Sequence, residues 1–180
     1  MARLPYVEYE NASEELRAIY DQVKGSRPSP INIQKMVCNS VEAFKRFRAY
    51  NVYLNQETGL ERKLVELVIL TVGKVTTTPY VWAQHISPAF AAGATQEEIS
   101  RIGGSLGTFD PRYRAALQYA AEVAGAGQVE DVTFAELRRF FSPKQIIDLT
   151  LLACQYLATT RLAVALQLDL EPEHQAQAGL

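Results

Sequence analysis

Apolar side chains recur every three or four positions along most of the chain, whereas alternating runs of β-branched residues are scarce. A spacing of three and four places apolar positions on one face of an α-helix, while strict alternation is typical of β-strands. The pattern therefore predicts an all-α protein. The most apolar segments lie near residues 61–75, 79–92 and 143–168, and we expect these helices to form the core or a subunit interface.

Residues that favour helix ends divide the chain into further elements. Ser, Thr and Asp side chains accept hydrogen bonds from the free N–H groups of a first helical turn, and proline fits that turn. The predicted starts are Asn11 or Ser13, Ser40, Glu61, Pro79, Thr95 with Glu98, Asp110 before Pro111, Thr133 with Glu136, and Ser142 before Pro143. The first helix is expected to end near residue 23, before Gly25 and a proline break at residues 28–30.

Two residues shape the helix that begins at Pro79. Pro88 lies inside it and is expected to bend it, and Gly93 is expected to end it in a left-handed conformation. At 180 residues the chain fits one domain, 1–180. Within it we expect an N-terminal helical extension over residues 1–39 and a polar, frayed tail over residues 173–180.

Composition excludes several classes of function. The net charge of −2 comes without a basic patch, so nucleic acid is not an expected partner. The longest apolar runs are about half the roughly 20 residues that span a bilayer, which predicts no membrane partner and a cytoplasmic protein. Cys38 and Cys154 form no CxxC pair, and both are expected to be buried. Two distant histidines predict no metal site, and we expect no cofactor.

The clearest chemistry lies between Glu66 and His85. They sit on two predicted helices joined by a short threonine-rich turn, so the helices are expected to be antiparallel neighbours. A contact of about 2.6–3.2 Å between the two side chains would support acid–base catalysis. A carboxylate beside an imidazole holds its tautomer, as a general base requires. The structural alternatives are a histidine that only packs beside Trp82 and a glutamate that forms a surface pair with neighbours such as Arg62.

Helical geometry selects the residues expected around His85. At 100° per residue Thr78 and Val81 share its face, and Trp82, about 60° away, is expected to line the same pocket. Tyr80 is about 140° away and is expected to point elsewhere unless the helix begins after it. Arg161 in the last long helix is a candidate to bind a carboxylate ligand, although Asp148 or the C-terminal acidic residues could equally pair with it.

This order of residues resembles the carboxymuconolactone decarboxylase and AhpD-like family. In the redox branch of that family, two cysteines lie seven and four residues before the histidine and a glutamate lies nineteen before it. Thr78, Val81 and Glu66 occupy those positions here, so the resemblance implies a branch without thiol chemistry. That branch often has a second histidine where this chain has Gln84. The resemblance covers about residues 40–172, including segments 58–62, 92–99, 110–112 and 168–172.

The resemblance implies an AhpD-like helical bundle that assembles as a dimer, trimer or hexamer. Three functions are open. The first is a cofactor-independent decarboxylase or lyase acting on a small organic acid or lactone, with His85 moving a proton and Glu66 orienting it. The second is a peroxidase or peroxiredoxin activity, which lacks its thiols here. The third is a non-catalytic ligand-binding or assembly protein, which a filled pocket would favour.

Overall fold

The computed structural model describes residues 1–23 and 30–177, and the regular structure in these ranges is helical without a strand, which confirms the all-α prediction. The expected break at Gly25 and residues 28–29 lies outside the described residues. The helices are α1 (Glu14–Val23), α2 (Asn32–Val37), α3 (Val41–Val52), α4 (Arg62–Val75), α5 (Pro79–Ala91), α6 (Gln96–Arg101), α7 (Pro111–Ala124), α8 (Asp131–Leu137) and α9 (Pro143–Ala165). A π-turn (Tyr53–Glu57) extends α3, and 3₁₀ turns span Tyr9–Asn11 and Pro172–Gln177.

Helix α4 is the centre of the fold. Every residue from Leu64 to Gly73 is buried, and α4 packs against α5, α7 and α9. A helix that carries apolar side chains on every side is stable only when other elements cover all of its faces. A smaller apolar cluster lies at the N-terminal end and contains Leu16, Tyr20, Cys38 and Phe44.

Local capping signals fix several of the helix starts. The hydroxyl of Thr95 accepts from Glu98 N at 3.1 Å, and Thr95 N donates to the Glu98 carboxylate at 2.8 Å, so the predicted capping box is confirmed. Asp110 and Ser142 cap α7 and α9 as expected. The prediction for Thr133 is wrong. Helix α8 begins two residues earlier, because the Thr133 hydroxyl donates to Glu122 of α7 at 2.7 Å instead.

The turn between α4 and α5 is closed by two backbone hydrogen bonds. Thr78 N donates to Gly73 O at 2.9 Å and Thr77 N donates to Lys74 O at 3.1 Å, while Thr77 has a φ of 50°. This is the Schellman pattern, with a β-branched residue at the position that glycine usually occupies. The reversal is therefore tight, and α5 runs back along α4.

Gly73 lets the two helices approach closely. A Cβ at this position would lie 3.3 Å from Trp82 N, which is tighter than ordinary van der Waals contact. Glu66 lies two turns before Gly73 on the same face of α4, and His85 lies about one turn beyond Trp82 on α5. The close contact at Gly73 therefore holds these two side chains within reach of each other.

Three smaller expectations have clear outcomes. Gly93 adopts a φ of 90°, as predicted, and Pro88 lies inside α5, which continues to Ala91. Cys38 is buried, but Cys154 is exposed, so the expectation of two buried thiols is wrong for Cys154. It lies two turns after the exposed Ile147 on the outward side of α9. Among the helices described, none is long and apolar enough to cross a membrane.

Candidate active site

Glu66 and His85 form a hydrogen-bonded pair. Glu66 is fully buried on α4, and its Oε2 lies 2.7 Å from Nδ1 of His85 on α5. The His85 side chain keeps 15% of its surface exposed. A buried carboxylate therefore holds an imidazole that remains accessible from one side.

Arg62 compensates the charge of the buried carboxylate. Its Nη2 forms an ion pair with Glu66 Oε1, and its Nη1 donates to the backbone oxygen and Oδ1 of Asn55 at 3.0 and 3.2 Å. A carboxylate paired with a guanidinium has no proton to give, so His85 Nδ1 carries the hydrogen of their contact. In the neutral imidazole Nε2 then holds the lone pair, and it bonds to no residue in the described ranges.

Tyr156 of α9 contacts both His85 and Asn55. It therefore completes a closed ring of contacts that consists of His85, Glu66, Arg62, Asn55 and Tyr156. Its aromatic ring stands at 87° to the His85 ring, with the centroids 5.0 Å apart, and its hydroxyl donates to Asn55 Oδ1 at 3.3 Å. Asn55 belongs to the π-turn after α3, and such turns occur frequently at functional sites. Four elements thus fix the orientation of one imidazole.

A cavity of about 490 Å³ borders the pair. This volume is within the range of small-molecule sites in proteins. Three of the described residues that line it are charged, namely Arg48, Arg62 and Glu66. Arg48 forms no ion pair within the part of the chain that the structure describes. The neutral lining residues include Ile33, Phe44, Phe47, Asn51, Asn55, Gln56, Tyr80, Val81, Gln84, Pro88, Tyr156 and Thr159.

A second buried carboxylate, Glu171, lies against another face of α5. Its Oε1 accepts from Asn32 N at 2.7 Å and from the Tyr80 hydroxyl at 3.2 Å, and its Oε2 accepts from Gln84 Nε2. Burial, and then the charge of Glu171, raise the pKa of Tyr80 well above its usual value, so this hydroxyl remains a donor. The other end of the Gln84 amide, Oε1, is buried and has no partner among the described residues.

The structure places the predicted pocket residues in two groups. Val81 lines the cavity, and so does Tyr80, contrary to the direction expected from its spacing. Trp82, Thr78 and Arg161 are not among the described residues that line it. The cavity lies along the face of α5 that carries positions 80, 84 and 88 together with 81 and 85. Trp82 lies beyond the edge of that face, and Thr78 belongs to the turn before α5.

The three remaining residues have other contacts or surroundings. The Trp82 ring packs under the ammonium of Lys74, 5.4 Å from its centroid. The Thr78 hydroxyl lies 3.0 Å from that of Thr76 in the turn before α5. Arg161 is exposed on α9. The expectation that Trp82 walls the pocket is therefore wrong, and Arg161 does not reach it.

Sequence reasoning missed several residues of the site. Arg62 was expected only as a surface partner of Glu66, although its position four residues earlier on one helix was a usable signal. Arg48, Asn55 and Glu171 reach the region from α3, the π-turn and the C-terminal segment. No local pattern indicates them, because each is brought in by tertiary packing.

The thiols lie away from this site. Neither cysteine is among the described residues that line the cavity. Burial raises the pKa of Cys38 to about 11, so at neutral pH it is a protonated and weakly nucleophilic thiol. Within the described ranges, no three His, Cys, Asp or Glu side chains cluster as metal ligands.

A sequence profile described as the carboxymuconolactone decarboxylase family matches residues 40–122. A peroxidase-related protein from Silicibacter sp. TM1040 has a similar structure, with a TM-score of 0.83 at 18% identity, over 99% of this chain and 96% of that one. A second peroxidase-related protein, from Ralstonia eutropha JMP134, is described as an alkylhydroperoxidase AhpD core. Its structure has a TM-score of 0.84 at 17% identity, over 99% of this chain and 97% of that one.

The debrominase Bmp8, in a complex with 2,3,4-tribromopyrrole, gives a TM-score of 0.84 at 12% identity, over 98% of this chain and 97% of that one. Identities this low establish a shared AhpD-like fold alone. No curated protein matches the chain in sequence.

Proposed function

From the match of residues 40–122 to the carboxymuconolactone decarboxylase family, together with the geometry of the site, we propose that this chain is a cofactor-independent enzyme that moves a proton on a small organic acid or lactone. His85 is the group that carries the proton, and Glu66 is the positioning residue behind it. The observation that carries the proposal is the 2.7 Å contact of the buried Glu66 with an imidazole that borders a cavity.

The contacts of Glu66 support Nε2 of His85 as the reacting atom. Because Arg62 and His85 occupy the two oxygens of the carboxylate, the imidazole presents its unprotonated Nε2 away from Glu66. This nitrogen can take up a proton, and the carboxylate then stabilises the imidazolium across the Nδ1 contact. The same atom serves as base before proton uptake and as acid after it.

Decarboxylation fits this single proton carrier. A β-keto or β,γ-unsaturated acid loses its carboxylate as CO₂, and the electron pair of the broken bond remains as an enolate or dienolate. The imidazolium of His85 gives the proton at Nε2 to carbon, which forms the new C–H bond. Neutral His85 recovers a proton from solvent, so each turnover consumes one proton and needs no redox partner.

The charges around the cavity favour an anionic substrate. Glu66 offsets one of the two arginines that line it, which leaves one positive charge in excess among the charged lining residues described. Arg48 is that cation, and a guanidinium is well suited to a carboxylate. This supports an organic acid, or a lactone that carries a carboxylate, as substrate.

The two alternative functions receive less support. A thiol peroxidase needs an activated cysteine, whereas Cys38 is buried with a raised pKa and the motif positions hold Thr78 and Val81. A relic site was expected to be filled by Val81 and Trp82. The open volume beside His85 gives that alternative no support.

Replacement of His85 tests the proposal. We expect His85→Gln to lower the rate of CO₂ release from carboxymuconolactone, or from acetoacetate and its γ-hydroxy derivative, by about 10²- to 10⁴-fold, because the proton carrier is lost. The helical circular-dichroism spectrum should be unchanged.

The matched control is His174→Gln, which makes the same change at the only other histidine, in the C-terminal 3₁₀ turn. It should retain full activity, as should a Cys38→Ser, Cys154→Ser double variant. Undiminished turnover in His85→Gln would overturn the proposal, and loss of turnover in the double cysteine variant would restore the thiol alternative.

A further inference from the structure

The Gln84 amide has one end bound and one end without a partner. The residue is 4% exposed, it lines the cavity beside His85, and its Oε1 has no hydrogen-bond partner within residues 1–23 and 30–177. Buried polar atoms in folded proteins are nearly always paired, and an exception calls for an explanation such as a missing ligand. Gln84 is therefore a candidate ligand contact.

Glu171 determines which end of the amide is bound. An amide and its flipped form occupy the same space, so only the partners decide between them. Gln84 Nε2 donates to Glu171 Oε2, while Glu171 Oε1 is occupied by the donors Asn32 N and Tyr80 OH. A flipped amide would set its oxygen against a carboxylate oxygen, which is repulsive. The free end of Gln84 is therefore an acceptor.

This acceptor adds to the chemistry of the cavity. His85 Nε2 is a second acceptor in the neutral imidazole, and Arg48 is a cation without an ion-pair partner in the described chain. A ligand that complements all three carries an anionic group and a hydrogen-bond donor. A carboxylic acid without a donor would leave the Gln84 oxygen buried and unpaired, and a site with such a group discriminates against that ligand.

We propose that Gln84 Oε1 accepts a hydrogen bond from an O–H or N–H group of the ligand, so that the cavity selects small carboxylic acids that carry a hydroxyl or N–H donor. For its catalytic meaning this inference rests on the proposed function. The contact itself concerns binding and can be measured without turnover.

The test compares ligands that differ only in the donor. The probes are the meta and para isomers of hydroxybenzoate, each paired with the fluorobenzoate of the same substitution, and calorimetry gives their dissociation constants. For at least one pair, we expect wild-type protein to bind the hydroxy acid about tenfold more tightly. Gln84→Met, which keeps the length but removes the acceptor, should reduce this preference to within about twofold.

Gln96→Met is the matched control, because it makes the same substitution at an exposed residue of α6 that does not line the cavity, and it should keep the preference. A crystal structure of the wild-type complex needs no variant and should show the ligand hydroxyl at hydrogen-bond distance from Gln84 Oε1. Equal affinities in the wild type, a preference that survives Gln84→Met, no binding at millimolar concentration, or an Oε1 that stays covered in the complex would each overturn the inference.

These outcomes separate the inference from the proposed function. Selective binding of the hydroxy acid without any CO₂ release would leave the Gln84 contact standing and contradict the proposed catalysis. Turnover that depends on His85, together with equal affinities for the paired acids, would support the proposed catalysis and contradict the Gln84 contact.

Discussion

Helix α5 lies between two buried carboxylates whose surroundings differ. Glu66 pairs with the cation Arg62 and with His85, a side chain that can gain and lose a proton. Glu171 is held by three neutral donors, Asn32 N, Tyr80 OH and Gln84 Nε2. Both arrangements satisfy a buried charge, but only the first contains an imidazole, a side chain that can act as a general acid or base. The first carboxylate is suited to chemistry, and the second to holding the fold and orienting an amide.

The difference extends to how each carboxylate reaches α5. Glu66 is on the neighbouring helix α4, and the contact at Gly73 and the turn at Thr77 fix its distance. Glu171 lies beyond α9, close to the end of the chain, and so ties the C-terminal segment to α2 and α5. Loss of the first carboxylate should therefore affect turnover, while loss of contacts to the second should affect stability.

The largest expected effect comes from Glu66→Gln. An amide is neutral and can donate to His85 Nδ1, so it no longer fixes the tautomer with an unprotonated Nε2. We expect the kcat for decarboxylation to fall about a hundredfold or more. The free energy of unfolding, from urea titration, should change by less than about 1 kcal/mol, because Arg62 is half exposed and can be hydrated. Full activity in this variant would contradict the catalytic role of Glu66 that distinguishes it from Glu171.

A smaller effect is expected at Glu171 from Tyr80→Phe. This change removes one donor to Glu171 and the acceptor for Ile33 N, 3.0 Å away, and should lower the free energy of unfolding by about 1–2 kcal/mol while leaving the His85 contacts in place. Urea titration of the two proteins at pH 8 measures the difference.

The same variant isolates a pH effect. The pKa of Tyr80 is raised in the folded state, by burial first and then by Glu171, so the folded protein retains this proton more strongly than the unfolded chain. Its stabilising contribution is complete below about pH 10, the usual tyrosine value, and declines as the pH rises above it. Wild-type protein should therefore lose more stability than Tyr80→Phe between pH 9 and 11. Parallel losses would mean that Tyr80 is not held in its protonated form.

The sequence predicts the elements of this fold better than the contacts between them. Thr95 and Asp110 form local caps, and their signals hold because both partners lie within three residues. Thr133 carries the same signal, yet Glu122 of another helix takes its hydroxyl. Local propensity predicts a structure reliably only where no tertiary partner competes for the same group.

The site follows the same rule. The Glu66 to His85 interval identifies the pair because one short turn joins their helices, and the family resemblance marks both positions. Trp82 was misplaced because spacing gives angles relative to His85 and does not say which side of the helix faces the cavity. Asn55 and Glu171 arrive from distant segments, and no periodicity predicts such contacts.

The ¹⁵N NMR spectrum of the His85 imidazole shows which ring nitrogen carries the hydrogen, and it needs no substrate. It is recorded on protein with labelled histidine, in the neutral form of the ring, with His85→Gln identifying the signals. We expect a hydrogen on Nδ1, held by Glu66, and an unprotonated Nε2. The opposite tautomer, with the hydrogen on Nε2, would contradict it, because His85 would then have no lone pair on the nitrogen that faces away from Glu66.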